Sequence, residues 1–447
     1  MIDGTTLIAW GFKPGRWFKA ALETANAMRA GGADDDSIFI ALQALQPIET
    51  LMRTNGIPFA MLVDAENEQE RANIAAVARH MDALMRVPTV VAGAVMPDAC
   101  PSGAAPGTIP VGAVVACDDA IHPGFHSSDI CCSVAITVFG RRDDPRRVLD
   151  AVQDATHFGP GGRSRIHVPP DEVMSEFDGN PFLRGLERFA IGHFATQGDG
   201  NHFAFVGHLK STGQVALVTH HGSRGLGAQV YKRGMAVARK HAAIHAPKVP
   251  EHNAWIKASS EDGRAYWEAL QIVRRWTKAN HIAIHDLAAA RLGNAIADRF
   301  WNEHNFVFRK ADGLFYHGKG ATPNWSGFSR DDEGRTIVPL NMAEPVLILK
   351  HADNKSALGF APHGAGRNVR RKAFLRANKP QLPVGIDARF YRGRPDPSEL
   401  PEAYKNAASV RSQIGRYGLG EVIDEVIPYG SIMAGDWEAN APWRKAR

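Results

Sequence analysis

The spacing of apolar residues predicts helices near the beginning of the chain and again in its middle. Apolar positions recur at the 3.6-residue spacing of a helix in residues 16–29 and 37–53. The pattern is helical again over residues 229–300, where Leu292, Ile296 and Phe300 fall on one helical face. We therefore expect residues 1–90 to form an N-terminal helical region.

Strands and tight loops are predicted from residue 87 onwards, where glycine, proline and β-branched residues become frequent. Residues 306–308 and 314–316 flank Asp312-Gly313, a dipeptide typical of a hairpin turn. Residues 159–170 read as a loop, and the Pro- and Arg-rich residues 391–402 read as a surface excursion. Helices and strands mix without regular βαβ alternation, so the expected fold class is α+β. Residues 91–447 are expected to form the second domain, with one continuous domain over 1–447 as the alternative.

Composition and charge exclude several classes of protein. The 447 residues are 44% hydrophobic and 22% charged, as in ordinary globular proteins. The chain has no apolar run close to the roughly 18 residues of a membrane span, and its start does not resemble a secretory signal. We therefore expect a soluble, cytoplasmic protein without a membrane partner. Four cysteines, two of them adjacent, fit reduced thiols or metal ligands better than disulfides, and a net charge of +5 is only weak evidence for a polyanionic partner.

Two predicted strands bring two histidines together. Residues 203–206 and 215–218 are short apolar runs joined by a turn, so an antiparallel hairpin would place His202 beside His220. Facing imidazoles on neighbouring strands commonly hold a divalent metal, although two independent loop histidines give the same spacing. Asp129 and Cys132 lie three residues apart in a tight loop before a predicted strand at 134–139. They suit one shared cation, and a solvated aspartate beside a buried cysteine is the alternative.

Glycine-rich turns carry further candidate residues. Arg224 and Lys319 each lie between glycines, a setting that suits phosphate binding, although a structural arginine in a glycine-rich turn is equally compatible. His363 stands on a glycine turn before a basic stretch that looks helical. It is either a neutral nucleophile near pH 7 or a plain turn histidine. His304 is a candidate metal ligand only if other candidate ligands lie beside it, since a lone histidine at a helix end usually caps the helix.

In this order along the chain, these motifs resemble the RtcB family of RNA ligases. The matching motifs, within roughly residues 96–410, are Met96-Pro97-Asp98, Asp129-x-x-Cys132, Gly200-Asn201-His202-Phe203, His220-x-Gly222-Ser223-Arg224-Gly225-x-Gly227, His304-Asn305, His317-x-Lys319-Gly320-Ala321, His363-Gly364-Ala365-Gly366-Arg367 and Pro401-x-Ala403-Tyr404-Lys405. The resemblance implies an RtcB-like fold with mixed β-sheets, hairpins that carry metal ligands, and a helical insertion. The catalytic domain would be residues 91–447.

The resemblance also implies an activity and a set of site residues. Such an enzyme uses GTP and two Mn²⁺ ions to join an RNA 3′-phosphate or 2′,3′-cyclic phosphate to a 5′-hydroxyl, in RNA splicing or repair. His363 matches the position that becomes linked to GMP. The metal ligands would be Asp129, Cys132, His202, His220 and His304. The nucleotide would be bound by Asp98, Asn201, His202, Phe203, His304, Asn305, Pro339, Met342, His363, Gly364, Ala365 and Gly366, and phosphate or RNA by Arg224, Lys319 and Arg367.

Four positions depart from the family pattern. Phe205 replaces a glutamate that reads the guanine edge, and Pro362 replaces a cysteine. Residues 339–343 lack the family's Gly-Ser pair, and the C-terminal motif has no lysine at Ala434. We therefore expect a looser choice of nucleotide. Two other functions stay open: a divergent metal-dependent nucleotidyl-transfer or phosphoesterase enzyme, and a non-catalytic protein that binds RNA ends.

Overall fold

Helices and strands mix irregularly along the chain, which confirms the α+β class. The computed structural model describes residues 1–47, 49–140, 144–163, 166–293, 295–369, 371–377 and 380–436, apart from the side chains of Lys372 and Ala377. The helices are α1 Gly4–Ala9, α2 Phe18–Ala30, α3 Asp35–Leu45, α4 Glu68–Leu84, α5 Pro123–His126, α6 Pro145–Ala155, α7 Asp171–Met174, α8 Glu187–Gly192, α9 Arg224–His245, α10 Glu261–Leu292, α11 Arg371–Ala377 and α12 Ala407–Arg416. Short 3₁₀ turns occur at Glu251–Asn253, Lys355–Ala357, Pro397–Glu399 and Pro401–Ala403.

Most of the described strands belong to two sheets. The strands are β1 Ala60–Met61, β2 Val90–Cys100, β3 Val111–Cys117, β4 Ala120–Ile121, β5 Ser133–Phe139, β6 Phe203–Leu209, β7 Val215–His221, β8 Ile256–Lys257, β9 Ile296–Glu303, β10 Asn305–Arg309, β11 Phe315–Lys319, β12 Ala321–Pro323, β13 Arg335–Val338, β14 Val346–Lys350, β15 Phe360–Pro362, β16 Asp387–Phe390 and β17 Glu421–Met433. One sheet has the order β1-β2-β3-β11-β10. The other has the order β13-β14-β17-β6-β7-β5-β9, with β16 paired to β17.

The larger sheet curls into a nearly closed barrel because its two edge strands approach each other. Asn302 of β9 donates to the carbonyl of Arg335 in β13 and accepts from the amide of Ile337. Alternate residues of β5 pack on opposite faces: Val134 and Ile136 belong to one apolar cluster, and Ala135 belongs to the main core. A shift of one residue along a strand would move every side chain to the opposite face and disturb the packing on both sides, so the burial of these strands fixes their register and the position of their ends.

The long helix α10 is attached to the sheet through polar side chains. The Thr219 hydroxyl lies 2.7 Å from His281 Nδ1 and 2.7 Å from His285 Nε2, and Ser133 lies 3.0 Å from His281 Nε2. Burial lowers the pKa of His285 to about 3, so its ring is neutral. These buried histidines are therefore part of the core and hold the helix on β5 and β7.

The N-terminal region has a small core of its own. Buried Leu7 of α1, Ala21 of α2 and Ile38 of α3 belong to one cluster, so the three helices pack against one another. Further along, β1 pairs in parallel with β2, and α4 packs on β2. The domain boundary at residue 90 stays a prediction. None of the helices in the described ranges is both long enough and apolar enough to cross a bilayer.

Two helix predictions are wrong in extent. The helix predicted over 37–53 ends at Leu45, because Gln46 precedes a proline and takes an extended backbone. The face predicted from Leu292 to Phe300 does not exist: α10 ends at Leu292, Gly293 caps it with a φ of +67°, and Ile296 begins β9. The helix predicted at 16–29 and the hairpin around Asp312-Gly313 are confirmed by α2 and by the pairing of β10 with β11.

Candidate active site

Five candidate side chains meet at one edge of the larger sheet. Asp129 and Cys132 precede β5, His202 precedes β6, His220 lies near the end of β7, and His304 directly follows β9. Strand β7 is antiparallel to both β5 and β6, and β5 is antiparallel to β9. The starts of β5 and β6 therefore lie beside the ends of β7 and β9. The predicted hairpin is confirmed, with Phe203 directly opposite His220.

The donor atoms of these side chains are spaced as metal ligands. Cys132 Sγ lies 3.2 Å from His220 Nε2 and 3.4 Å from His202 Nε2. His220 Nε2 lies 3.1 Å from His304 Nε2, and His202 Nε2 lies 3.2 Å from Asp129 Oδ2. Ligands bound tetrahedrally at about 2.0–2.3 Å are themselves about 3.3–3.8 Å apart. The donors form two groups that share Cys132, and each could hold one cation.

The protonation of these groups also fits a metal. Burial lowers the pKa of His220 to about 3, with His202 as the next cause, and burial holds the pKa of His304 well below its usual range. Metal binding needs neutral imidazoles, so these rings are already in the required state. His220 Nδ1 lies 2.9 Å from the carbonyl of Asn201, which leaves Nε2 to face Cys132 and His304. Burial raises the pKa of the Cys132 thiol, and a bound cation would reverse this effect.

His363 is held by a buried carboxylate. It follows β15, and its backbone amide donates to Asp98 Oδ2 over 3.1 Å. Its ring Nδ1 lies 2.5 Å from the same oxygen, and its ring centroid lies 4.9 Å from that of His304. A side chain at Gly366, where φ is +70°, would lie 2.0 Å from the carbonyl oxygen of Asp98. Only glycine therefore permits this close approach.

A cavity of about 290 Å³ lies between His363 and the sheet edge. Most of the residues predicted to bind a nucleotide line it: Asn201, Phe203, His304, Asn305, Pro339, Met342, His363, Gly364, Ala365 and Gly366. Asp98 is instead fully buried and contacts His363. His202 lines a neighbouring cavity of about 340 Å³, together with Asp129, Asn201 and Arg224. Asp129 and Asn201 line both cavities, so the metal candidates lie between them.

The three predicted phosphate-binding cations have protein partners. Arg224 donates to the carbonyl of Gly159 over 2.7 Å and so holds the loop at 159–161. Lys319 donates to Ser102 Oγ over 2.8 Å, and burial lowers its pKa to about 8. Arg367 donates to Glu399 Oε2 over 2.7 Å. Lys319 and Arg367 line the cavity beside His363, and Arg224 lines the neighbouring one.

The prediction that residues 391–402 form a surface excursion is wrong at residues 398–400. Ser398, Glu399 and Leu400 are buried, because the Glu399 carboxylate pairs with Arg367 and Arg371. Glu399 and Arg371 also line the cavity, and neither was predicted as a site residue. Their signal was indirect: Glu399 lies just before the Pro401-x-Ala403-Tyr404-Lys405 motif, and Arg371 lies in the basic stretch after His363.

One wall of the cavity beside His363 is apolar. Phe205 is only 2% exposed and lines it together with Leu340, Val346 and Met433. The nearest polar side chain on β17, Ser431, donates to the carbonyl of Ala204 over 3.3 Å. Phe205 therefore offers a surface on which an aromatic ring can pack and no group that accepts a hydrogen bond.

The chain is similar to a known protein family and to several named proteins. A family model described as "tRNA-splicing ligase RtcB" matches residues 172–434. A tRNA-splicing ligase RtcB of Archaeoglobus fulgidus is 27% identical over 280 residues, which cover 53% of this chain and 58% of that protein. The protein of the same name from Thermococcus kodakarensis is 25% identical over 404 residues (72% of this chain, 84% of that protein). An RNA-splicing ligase RtcB of Mycobacterium tuberculosis is 23% identical over 403 residues (72% and 93%).

Proposed function

The chain belongs to the RtcB family, and on this basis we propose that it is an RNA ligase that works through a GMP adduct on His363. In this proposal an RNA 3′-phosphate or 2′,3′-cyclic phosphate end is joined to a 5′-hydroxyl end, with GTP as the nucleotide. Two divalent cations, manganese by analogy with the family, are held by Asp129, Cys132, His202, His220 and His304.

The observation that carries the proposal is the placement of His363. Its Nδ1 contacts Asp98, its ring is next to His304, and the glycine turn that follows it lines the cavity. With Nδ1 donating to the carboxylate, Nε2 keeps the lone pair that a nucleophile needs. Asp98 also stabilises the positive charge that the ring gains on attack.

The chemistry then divides among these residues. His363 Nε2 attacks the α-phosphorus of GTP, the bond to pyrophosphate breaks, and the guanylate stays on the ring. Cations bound by the five ligands would neutralise the phosphate oxygens. Lys319 and Arg367 stand in the same cavity, where they would meet the phosphates of the nucleotide or of the RNA end. A 2′,3′-cyclic phosphate end is first opened by water to a 3′-phosphate. An oxygen of the RNA 3′-phosphate then attacks the guanylate phosphorus and breaks its bond to His363 Nε2, and the 5′-hydroxyl finally displaces GMP to close the phosphodiester.

An adduct assay tests the proposal. Protein incubated with α-labelled GTP and Mn²⁺ should acquire label that is lost in acid and kept in alkali, as expected for a phosphoramidate. His363→Ala should abolish both adduct and RNA joining while metal content stays close to wild type, because His363 is outside the ligand set. His208→Ala, in the hairpin of β6 and β7 but outside both cavities, serves as the matched control. A labelled adduct in His363→Ala, or an adduct stable to acid, would refute the mechanism.

The apolar wall favours a second candidate within the same chemistry. Phe205 lines the cavity and can pack against a base without reading its edge, so the second candidate forms its adduct with a nucleotide other than GTP. A divergent nucleotidyl-transfer enzyme of this kind would keep the same nucleophile and ligands. Running the adduct assay with each of the four labelled nucleoside triphosphates separates the two candidates.

A further inference from the structure

Residues 391–394, with the sequence Tyr-Arg-Gly-Arg, form an exposed segment directly after β16 that has no part in the proposed chemistry. We call it the 391–394 segment. Its backbone continues the pairing of β16 with β17, since the amide of Tyr391 donates to the carbonyl of Met433 over 2.9 Å. Met433 also lines the cavity beside His363. The 391–394 segment is therefore fixed directly beside one wall of that cavity.

The ring of Tyr391 packs on a loop that is bonded to the chain just before a candidate metal ligand. Its centroid lies 5.3 Å from the ring centroid of His157 and 5.7 Å from that of Phe158. The carbonyl of His157 accepts from the amide of Gln197, shortly before His202 in the chain. Tyr391 is nevertheless 42% exposed. The tyrosine is thus held by two aromatic neighbours and open to solvent, between the wall of one cavity and the loop that leads to the other.

Positive charge lies next to this ring. Arg392 and Arg394, the two arginines of the segment, are both exposed. Asp396 is the one acidic residue among residues 391–396. Its carboxylate accepts from the backbone amide of Ser398 over 2.9 Å and from the Ser398 hydroxyl over 2.7 Å. The segment therefore offers an excess of positive charge beside an exposed aromatic side chain.

An exposed aromatic ring flanked by arginines is typical of proteins that bind single-stranded nucleic acid. A base stacks on the ring, and the cations attract the phosphates of the same strand. Stacking needs an unpaired base, because the bases of a duplex already stack on their neighbours. Double-stranded RNA is instead recognised through its shape, its 2′-hydroxyls and its phosphates.

We propose that Tyr391 stacks on an unpaired base of the RNA close to the end being joined, while Arg392 and Arg394 meet the phosphates of that strand. This inference rests on the proposed RNA ligase function and adds a substrate class to it. The enzyme would prefer ends whose last nucleotides are single-stranded, without a strong preference for sequence, since every base has a flat face.

Abasic substitution in the RNA tests the contact. In unstructured RNAs the base is removed from one nucleotide at a time, at the four positions next to each end. Joining is measured under single turnover with the full-length protein, GTP and Mn²⁺. At one position the RNA concentration for half-maximal rate should rise about five- to 100-fold, the effect of one lost base stack. Tyr391→Ala should weaken the intact RNA by a similar factor, and the abasic nucleotide should then cause no further loss.

Further variants separate stacking from a structural role. Tyr391→Phe keeps the ring and should join RNA like the wild type, whereas Tyr391→Leu keeps an apolar side chain without a ring and should behave like Tyr391→Ala. Adduct formation without RNA should be unchanged in all three variants, because Tyr391 lines neither cavity. Tyr391→Leu carries the test if Tyr391→Ala does not fold.

The arginines are tested through the salt dependence of RNA affinity. Arg392→Gln and Arg394→Gln should each reduce the slope of log affinity against log salt by about 0.7, the contribution of one phosphate contact on a single strand. The matched control is Arg16→Gln, an exposed arginine of the N-terminal region that lines neither cavity and should leave the slope unchanged.

The outcomes distinguish this inference from the function on which it rests. If the wild type joins RNA but no abasic position weakens joining, or if the abasic effect persists in Tyr391→Ala and Tyr391→Leu, Tyr391 does not stack on the RNA. If the wild type forms neither an adduct nor joined RNA, the proposed function fails. RNA binding measured by fluorescence anisotropy with the same abasic series then still decides the inference, because it needs no catalysis.

Discussion

The fully buried carboxylate of Asp98 lies 2.5 Å from Nδ1 of His363 and also accepts the backbone amide of the same residue. One oxygen therefore fixes both the position of the turn and the tautomer of the ring. The second carboxylate oxygen, Oδ1, has no partner among the described residues and lies next to Gly112. A Cβ atom added at Gly112 would lie 2.7 Å from this oxygen. The glycine thus leaves room for the carboxylate to keep this orientation.

Asp98→Asn should slow adduct formation on the order of 10–100-fold, the usual cost of losing the partner that orients a functional histidine. The ring loses its fixed tautomer, while the five proposed metal ligands are untouched. Rates of label incorporation at saturating GTP, with metal content measured in parallel, check this. A variant with wild-type rate would show that Asp98 has only a structural role.

Cys132→Ala should lose bound divalent metal and all joining activity while it stays folded. Cys132 is shared by both donor groups, so its loss removes a ligand from each. Cys117→Ala, a buried thiol on β3, is the matched control and should keep its metal. Elemental analysis of the purified variants measures both, and unchanged metal content in Cys132→Ala and His220→Ala would overturn the ligand assignment.

Nucleotide preference should be modest. Each hydrogen bond between a charged carboxylate and a base is worth about 1.5–3 kcal/mol, and Phe205 supplies none. Parallel adduct assays with GTP and ATP should therefore give a ratio well below about a thousandfold. A larger preference for GTP would mean that other residues of the cavity read guanine.

Anion binding through Lys319 should weaken above about pH 8. Burial lowers the pKa of this lysine to about 8, so in the free protein its charge is present below that pH and is lost as the pH rises through it. Inorganic phosphate or RNA affinity measured from pH 7 to 9 should fall in the wild type. Lys319→Arg keeps its charge over this range and should fall less. Parallel profiles for the two proteins would show that Lys319 does not contact the anion.

Unfolding free energy should decrease as the pH falls below about 6.5. Burial lowers the pKa of His122 to about 3 and that of His126 to about 4, so the folded protein keeps these rings neutral. The unfolded chain takes up protons near pH 6.5, and stability is lost from there down to the folded pKa values. His126→Gln should reduce the loss between pH 7.5 and 5 by about 1–2 kcal/mol in urea unfolding, whereas His208→Gln should not.

Local patterns predicted the parts of the fold that depend on neighbours in sequence. The β6–β7 hairpin has a short turn, and its pairing of Phe203 with His220 follows from the apolar runs on either side. The end of α10 was not predicted, because the strand that follows it, β9, forms by pairing with β5, some 160 residues earlier in the chain. The spacing of apolar residues near Ile296 contains no information about that distant partner. Charge pairing explains the other error: Glu399 is buried only because Arg367 and Arg371 come from elsewhere in the chain.

The sequence motifs indicated which residues belong to the candidate site, but they did not indicate which of these residues contact one another. The motifs that carry Asp129, Cys132, His202, His220 and His304 are short and local, and the structure brings these side chains together. The pairing of Asp98 with His363 joins positions 265 residues apart, and no local pattern in the sequence predicts it.

The position of β5 has a consequence for any attempt to dissect the protein. This strand lies between β7 and β9 in the larger sheet and leads directly out of the loop that carries Asp129 and Cys132. The stretch matched by the family model, 172–434, begins after it. A fragment cut to that stretch would open the sheet between β7 and β9 and would lack Asp98 as well. The region that identifies the family is therefore shorter than the smallest piece that can be expected to fold and act.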